Sequence, residues 1–282
     1  MRNTSPIRYF VVDAFTNRPF RGNPAAVVLL DQWQADSWLQ NVALEMNLAE
    51  TAFFVPLGRG YHLRWFTPKT EVDLCGHATI ASALVLAHLG KLPDGADVAF
   101  TTRSGVLGAS RKGSQIQLNF PALPVEPCEP PPDLLEALHV KPRYVGQSIF
   151  DFLAEVDSES VLRGLSPDLR RLVAVKFRGL IVTARSDDPQ FDFVSRFFAP
   201  AVGVDEDPVC GSAHCCLAPY WGERLSKTEM VAYQASARGG VVFVEVRGER
   251  VILGGEGVIF ATGELAASNP MAYPPGSPTR SA

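Results

Sequence analysis

Cysteine followed by glycine occurs twice in matched settings, as Cys75-Gly-His-Ala-Thr79 and, 135 positions later, as Cys210-Gly-Ser-Ala-His214. Each copy follows an Arg-aromatic-Phe-x-Pro segment, Arg64 to Pro68 and Arg196 to Pro200. At each junction the chain is expected to enter a helix, so the N–H groups of Cys75, Gly76 and His77, and of Cys210, Gly211 and Ser212, begin without intrahelical partners. Such ends attract anions, and glycine at 76 and 211 lets a ligand approach the backbone. Glycines that only permit close packing of helix and sheet are the plainer alternative for a single copy. Two matched copies favour a binding role.

Four side chains near these ends could move protons. Strand alternation in Leu48-Ala-Glu-Thr-Ala-Phe-Phe-Val55 puts Glu50 on the face of Ala52 and Phe54, where partial burial is expected to raise its pKa toward a useful range. His77, at a helix start, is expected to stay neutral because the dipole disfavours its cation, and Ser212 is its counterpart. Asp207 precedes Pro208, an order that suits a helix cap as well as an active-site role. Cys75 and Cys210 allow a second chemistry, a thiol and thiolate pair flanking an acidic carbon, if their helix starts lower their pKa values. Cys210, His214, Cys215 and Cys216 together with Cys75 and His77 contain metal-ligand residue types. Adjacent Cys215 and Cys216 point about 100° apart on a helix, however, and the expectation is no metal. With no P-loop and no strand-linked Gly-x-Gly-x-x-Gly, no cofactor is expected.

The elements that must position these residues follow the repeat. At the same offset of 135, Arg103, Gly105 and Lys112-Gly113 meet Arg238, Gly240 and Arg247-Gly248. In the first unit, strands are expected at Tyr9–Phe15, Ala25–Leu30, Leu48–Leu57 and His62–Phe66. A helix is expected around Leu39, Val42, Ala43 and Met46, capped by Asp36 or Ser37, and another over Gly76–Leu89. The latter is apolar almost all round, the mark of a central buried helix. A hairpin, Val106–Ser110 with Gln115–Phe120, closes the unit. In the second unit, strands are expected at Gln147–Val156, Val173–Val175, Leu180–Thr183 and Phe193–Phe198, then a helix from Gly211 and a hairpin, Val241–Val246 with Arg250–Leu253. The fold class is α+β, two similar lobes, each a mostly antiparallel sheet around a buried helix. The expected division is a first lobe over 1–121, a linker over 122–132 within the proline-rich PALPVEPCEPPP, a second lobe over 133–265 and a flexible tail over 266–282.

Composition narrows the ligand. The 282 residues carry a formal net charge of −4 with basic residues scattered, which gives no support to a nucleic-acid surface, and no stretch is long enough to span a bilayer. Five cysteines, an odd number, fit no secreted disulfide framework, so a cytoplasmic protein with a small-molecule ligand is expected.

The segments VDAFTNRPFRGNPAAVVLL, NLAETAFF, LRWFTPKTEVDLCGHATIASA and EDPVCGSAHCCLAPYW closely resemble the phenazine-biosynthesis PhzF-like proteins, relatives of diaminopimelate epimerase, over residues 8 to 262. The resemblance implies a diaminopimelate-epimerase-like fold, a ligand in the cleft between the lobes and a homodimer. It also implies isomerase chemistry without a cofactor, as in the characterised member, which isomerises trans-2,3-dihydro-3-hydroxyanthranilate. The family's catalytic glutamate falls on Glu50 and its supporting residues on His77, Asp207 and Ser212, with the backbone at Gly76 and Gly211 holding substrate. One departure stands out: PhzF-like proteins usually carry Thr at the position of Cys210, whereas diaminopimelate epimerase and proline racemase have Cys in both copies. Three readings are therefore carried forward: a glutamate-based isomerase, a two-cysteine racemase or epimerase using Cys75 and Cys210, and a non-catalytic binding protein on the same fold.

Overall fold

The computed structural model describes residues 6–266, so the expected tail beyond Ala266 lies outside the described residues. The first half runs β1 (Ile7–Ala14), β2 (Asn23–Leu29), α1 (Asp36–Met46), β3 (Glu50–Leu57), β4 (Gly60–Phe66), β5 (Glu71–Val72), α2 (Gly76–His88), β6 (Asp97–Thr102), β7 (Gly105–Lys112) and β8 (Gln115–Pro121). The second runs β9 (Glu126–Pro127), α3 (Pro132–Leu138), β10 (Tyr144–Gln147), β11 (Asp151–Glu155), α4 (Glu159–Gly164), α5 (Leu169–Ala174), β12 (Gly179–Arg185), β13 (Phe193–Ala199), β14 (Val204–Asp207), α6 (Gly211–Leu225), β15 (Glu229–Gln234), β16 (Gly240–Arg247) and β17 (Arg250–Gly255). A last strand, β18 (Gly257–Leu265), returns to pair with β1.

The architecture is α+β, two similar lobes, each a mostly antiparallel sheet around one buried helix. In each lobe two parallel pairs interrupt the antiparallel run. They are β2 with β3 and β4 with β6 in the first, and β11 with β12 and β13 with β15 in the second. A parallel pair needs a crossover connection. The crossovers α2 and α6 pass through the interior, whereas α1, α4 and α5 pack outside against separate apolar clusters. The lobes are joined by antiparallel pairing of β8 with β17. The repeat reappears as chemistry: Arg64 grips Glu71 through two hydrogen bonds of 2.7 Å, and Arg196 grips Glu206 through bonds of 2.7 and 2.9 Å.

Burial of α2 follows from its composition. Its small hydroxyls bond back to the preceding turn, Thr79 Oγ1 to the Cys75 carbonyl at 2.6 Å and Ser82 Oγ to the Ala78 carbonyl at 2.7 Å, so they need no water. In α6, Pro219 lacks the N–H that would bond to the Cys215 carbonyl, and Leu123 of the interlobe connection donates to that carbonyl at 3.0 Å. The proline thereby ties the connection to the second central helix.

Several local expectations are corrected. Asp36 is the first residue of α1, and the cap, Ala35, makes no side-chain bond; the Asp36 carboxylate instead accepts a bond from Arg64. The apolar run Val173–Val175 is no strand. It ends α5, which is nucleated by Asp168 accepting from the N–H groups of Arg170 and Arg171. Gln147–Val156 is two strands, because Ser148 Oγ accepts from the N–H groups of Phe150 and Asp151 and folds a turn there. The proline-rich connection is not wholly irregular, since Glu126 and Pro127 pair with β10. Strands β6, β15 and β18 go beyond the sequence expectations.

Fully buried Ile80 of α2 and Leu217 of α6 set a test of this core. Replacing either with Ala is expected to cost about 2–5 kcal/mol in denaturant unfolding. Ser37→Ala, which removes no cap, is expected to stay within about 0.5 kcal/mol.

Candidate active site

The two Cys-Gly junctions meet. Cys75 caps α2 and Cys210 caps α6, both with extended backbone, and a methyl group added at Gly76 would stand 3.9 Å from the Gly211 Cα. Two helix starts, each equivalent to roughly half a positive charge, therefore face one another across the lobe junction. Carboxylates surround them. Glu50 opens β3, and a carboxylate oxygen lies 3.0 Å from His77 Nε2 in the first turn of α2. Cys75 Sγ lies 3.6 Å from His77 Nδ1.

From the second lobe, Asp207 ends β14. It is not the α6 cap; its Oδ1 accepts from Val209 N–H at 3.2 Å and turns the chain toward Cys210. Gln234 secures that turn, donating to the Asp207 carbonyl at 2.7 Å and accepting from Cys210 N–H at 2.9 Å. Asn23 links the lobes. Fully buried at the start of β2, its Nδ2 donates to Asp207 Oδ1 at 2.7 Å and to the Val209 carbonyl at 3.0 Å. Those two oxygens occupy both amide hydrogens, so His77 Nδ1, 3.3 Å from Nδ2, keeps its own proton and directs it toward Cys75 sulfur. Asn23 lies in the Gly-Asn-Pro turn already quoted, yet nothing in that triplet signals a partner 184 residues away.

These contacts reverse two expectations about charge. Burial pushes the Glu50 carboxyl upward, but the charge and hydrogen bond of His77 outweigh it and hold the pKa below its ordinary value. Burial likewise works against a charge on His77, and Cys75 and Glu50 more than restore it, so its pKa lies well above the ordinary His value. Both shifts favour the carboxylate and imidazolium forms of the pair. Asp207 moves the other way: burial raises its pKa, the His77 cation opposes this, and the Glu50 charge reinforces it. The helix starts do not make reactive thiolates of the cysteines. Burial and then Glu50 raise Cys75, and burial and then Asp207 raise Cys210 well above the ordinary thiol value.

The two lobes differ where the chemistry is. Phe53 stands opposite Arg64, and Val182 stands opposite the repeated Arg196. Counting back three residues along each strand, the counterpart of Glu50 is Gly179, not Arg185 as the constant offset implies. A methyl group at Gly179 would lie 2.5 Å from the Phe197 ring, so this lobe has no room for a second acid there. Ser212, the counterpart of His77, accepts a hydrogen bond from Arg178 at 3.0 Å, and Cys210 Sγ lies 3.3 Å from the Ser212 hydroxyl. Arg178 is in turn paired with fully buried Asp151.

Among the described residues, donor atoms of Glu50, Cys75 and His77 lie within 4.8 Å of one another, close enough to hold a cation. Glu50 and His77 already balance each other's charge there. Of the other metal-ligand types, His214 is held apart, with Nδ1 on the Cys210 carbonyl at 2.8 Å and burial pulling its pKa down to about 4.

Asn23→Asp tests the interlobe amide. It replaces a donor by an acceptor facing two oxygens and is expected to cost about 1–3 kcal/mol at pH 7. The new carboxyl would have its folded pKa raised, so the penalty grows as pH rises through the unfolded carboxyl value and shrinks below it. Thermal melts at pH 4 and pH 7 are expected to show the smaller loss at pH 4.

Comparison with known proteins gives the family and the fold. Residues 12–263 match the family model described as phenazine biosynthesis-like protein, PhzC-PhzF. An uncharacterized isomerase of Halalkalibacterium halodurans is 51% identical over 93% of this chain and 98% of its own length. The crystal structure of a PhzF-family protein from Enterococcus faecalis superposes with a TM-score of 0.89 at 43% identity, covering 93% of this chain and 99% of that one. A hydroxyproline epimerase from Agrobacterium vitis shares the fold alone, with a TM-score of 0.58 at 12% identity over 96% of this chain and 95% of that one. On the family match and the named isomerases among its relatives, the chain is an isomerase that belongs to the phenazine biosynthesis-like PhzC-PhzF family.

Proposed function

We propose that this isomerase moves a proton between two carbons of a small carboxylate, with Glu50 as the acid and base and no cofactor. One observation carries the reading. Glu50 Oε2 is buried and stands 3.0 Å from His77 Nε2, so the carboxylate is held at the lobe junction by an ion pair while its side chain stays 20% exposed. An ionised carboxylate held by a neighbouring charge and still partly open is a base able to accept a proton from a ligand.

The steps follow from the charges. The substrate carboxylate lies against the backbone N–H groups at Gly76 and Gly211 and the Ser212 hydroxyl, where two helix dipoles favour an anion. Glu50 takes a proton from an acidic carbon, and the electron pair of the broken C–H bond passes into the adjoining unsaturated system. The carboxyl of Glu50, now neutral, exchanges its proton with solvent and delivers one to a second carbon, so no proton is gained or lost overall. The His77 cation keeps Glu50 ionised between turnovers. Asp207, with its pKa displaced upward, is suited to carry a proton and donate a hydrogen bond to charge developing on the substrate. Two carboxyl groups whose pKa values are pushed in opposite directions are the pattern expected of an acid and a base sharing one site.

The two-cysteine reading has the fold in its favour, but burial keeps both thiols protonated, and the counterpart of Glu50 is occupied by a phenylalanine ring. The non-catalytic reading leaves the buried Glu50–His77 pair without a purpose.

With trans-2,3-dihydro-3-hydroxyanthranilate in deuterated water, Glu50→Gln is expected to lower deuterium incorporation by about 10²–10⁴-fold. Cys75→Ser and Cys210→Ser are each expected to keep the rate within about tenfold. A hundredfold loss in either serine variant with Glu50→Gln active would establish the thiol mechanism instead. The pH profile gives a separate check. Because His77 holds Glu50 below its ordinary pKa, the acid limb of kcat/KM is expected below about pH 4.5. His77→Asn removes the cation and leaves the burial, so that limb is expected to move up by about one unit or more.

A further inference from the structure

The register of the two lobes relates the Glu50 and His77 pair to Gly179 and Ser212, and the side chain that contacts Ser212 comes from Arg178, the neighbour of Gly179. The second lobe thus presents a guanidinium where the first presents a carboxylate. Three features show a cation held in place while keeping donors free. Asp151, with no exposed surface, accepts from Nε at 2.9 Å and from Nη2, fixing the plane of the fork. Phe150 and Phe197 hold the guanidinium carbon 5.2 and 5.7 Å from their ring centres. The side chain is still 34% exposed, and Nη1 has no partner among the described residues. Nη2 reaches Ser212 at 3.0 Å, so the guanidinium stands beside the first turn of α6.

We infer that Arg178 is the specificity-determining residue of this site: its Nη1 and the Ser212 hydroxyl receive an acidic group of the substrate, placing the reactive carbon toward Glu50. The substrate class is then small organic acids with the acid group intact, and the corresponding amides are rejected. This rests on the reading of the cleft as the isomerase site, and it adds an assignment that the backbone of Gly76 and Gly211 does not make. A helix start alone accepts any group with a lone pair. A carboxylate can accept from Nη1 and from the Ser212 hydroxyl with the attraction of opposite charges added, whereas an amide is neutral and presents one acceptor and one competing donor.

Binding of acid and amide probes tests this without turnover, so a failed Glu50 mechanism leaves the measurement intact. Benzoate, anthranilate and crotonate, each with its amide, are titrated into the wild-type protein by calorimetry or ligand-observed NMR. Wild type is expected to prefer at least one acid over its amide by about tenfold or more, the contribution of a hydrogen bond to a charged group. Arg178→Met is expected to abolish the preference and Arg178→Lys to retain part of it, while Glu50→Gln keeps it. Since Arg178→Met leaves Asp151 buried and unpaired, the double variant Arg178→Met with Asp151→Asn provides a charge-balanced protein for the same titration. A merely structural Arg178 would lower the melting temperature in these variants and leave the acid-to-amide ratio unchanged. That result, or a wild type that prefers none of the three acids, would overturn the proposal.

Discussion

Two helix N-termini pointed at each other form the constraint on which the rest of the molecule depends. Like partial charges at the ends of α2 and α6 repel, and both ends are buried at the junction of the lobes, where water cannot screen them fully. Glycine at 76 and 211 permits the approach, and the carboxylates of Glu50, Asp207 and Asp151 are set around it. The wrapping of both sheets, the pairing of β8 with β17 and the hold of Asn23 on Asp207 all serve to bring those two ends together. The proposed carboxylate ligand would place an anion between them.

Duplication supplies the scaffold, and a few side chains break its symmetry. The Arg64–Glu71 and Arg196–Glu206 pairs, the inward crossovers and the capping cysteines are kept in both lobes. The proton-handling positions are not. Where the first lobe has Glu50 against His77, the second has Gly179 under the Phe197 ring and Arg178 against Ser212. A symmetric pair of carboxylates is thereby excluded at these positions, and the lobe junction gains a direction, with the Glu50 carboxylate at one side and the Arg178 guanidinium at the other.

Legibility followed the range of the interactions. The inward helix α2 could be read from its lack of a polar face, and Glu50 from the alternation of its strand, because both patterns are local. Val173–Val175 was ambiguous, since a short apolar run fits strand or helix until the cap at Asp168 is seen to bond. The final strand β18 gave no sign of its partner, because pairing β1 across the whole chain length leaves no local signature. The offset of 135 held from the Cys-Gly junctions onward but failed before them, where unequal loop lengths shift the register and the true counterpart of Glu50 emerges only from strand pairing.

Sequence alone determined the α+β class and the two-fold repeat with its paired helix starts, and it singled out Glu50, His77, Asp207 and Ser212 as candidates for handling protons and anions. Those conclusions rest on residue types and spacings, which the chain carries before it folds. Tertiary structure alone decided the charge states, the role of Asn23 and the presence of Arg178 at the site. A pKa reflects burial and neighbours brought from elsewhere in the chain, so the expected neutral histidine and raised glutamate became an ion pair once Cys75 and Glu50 closed around His77.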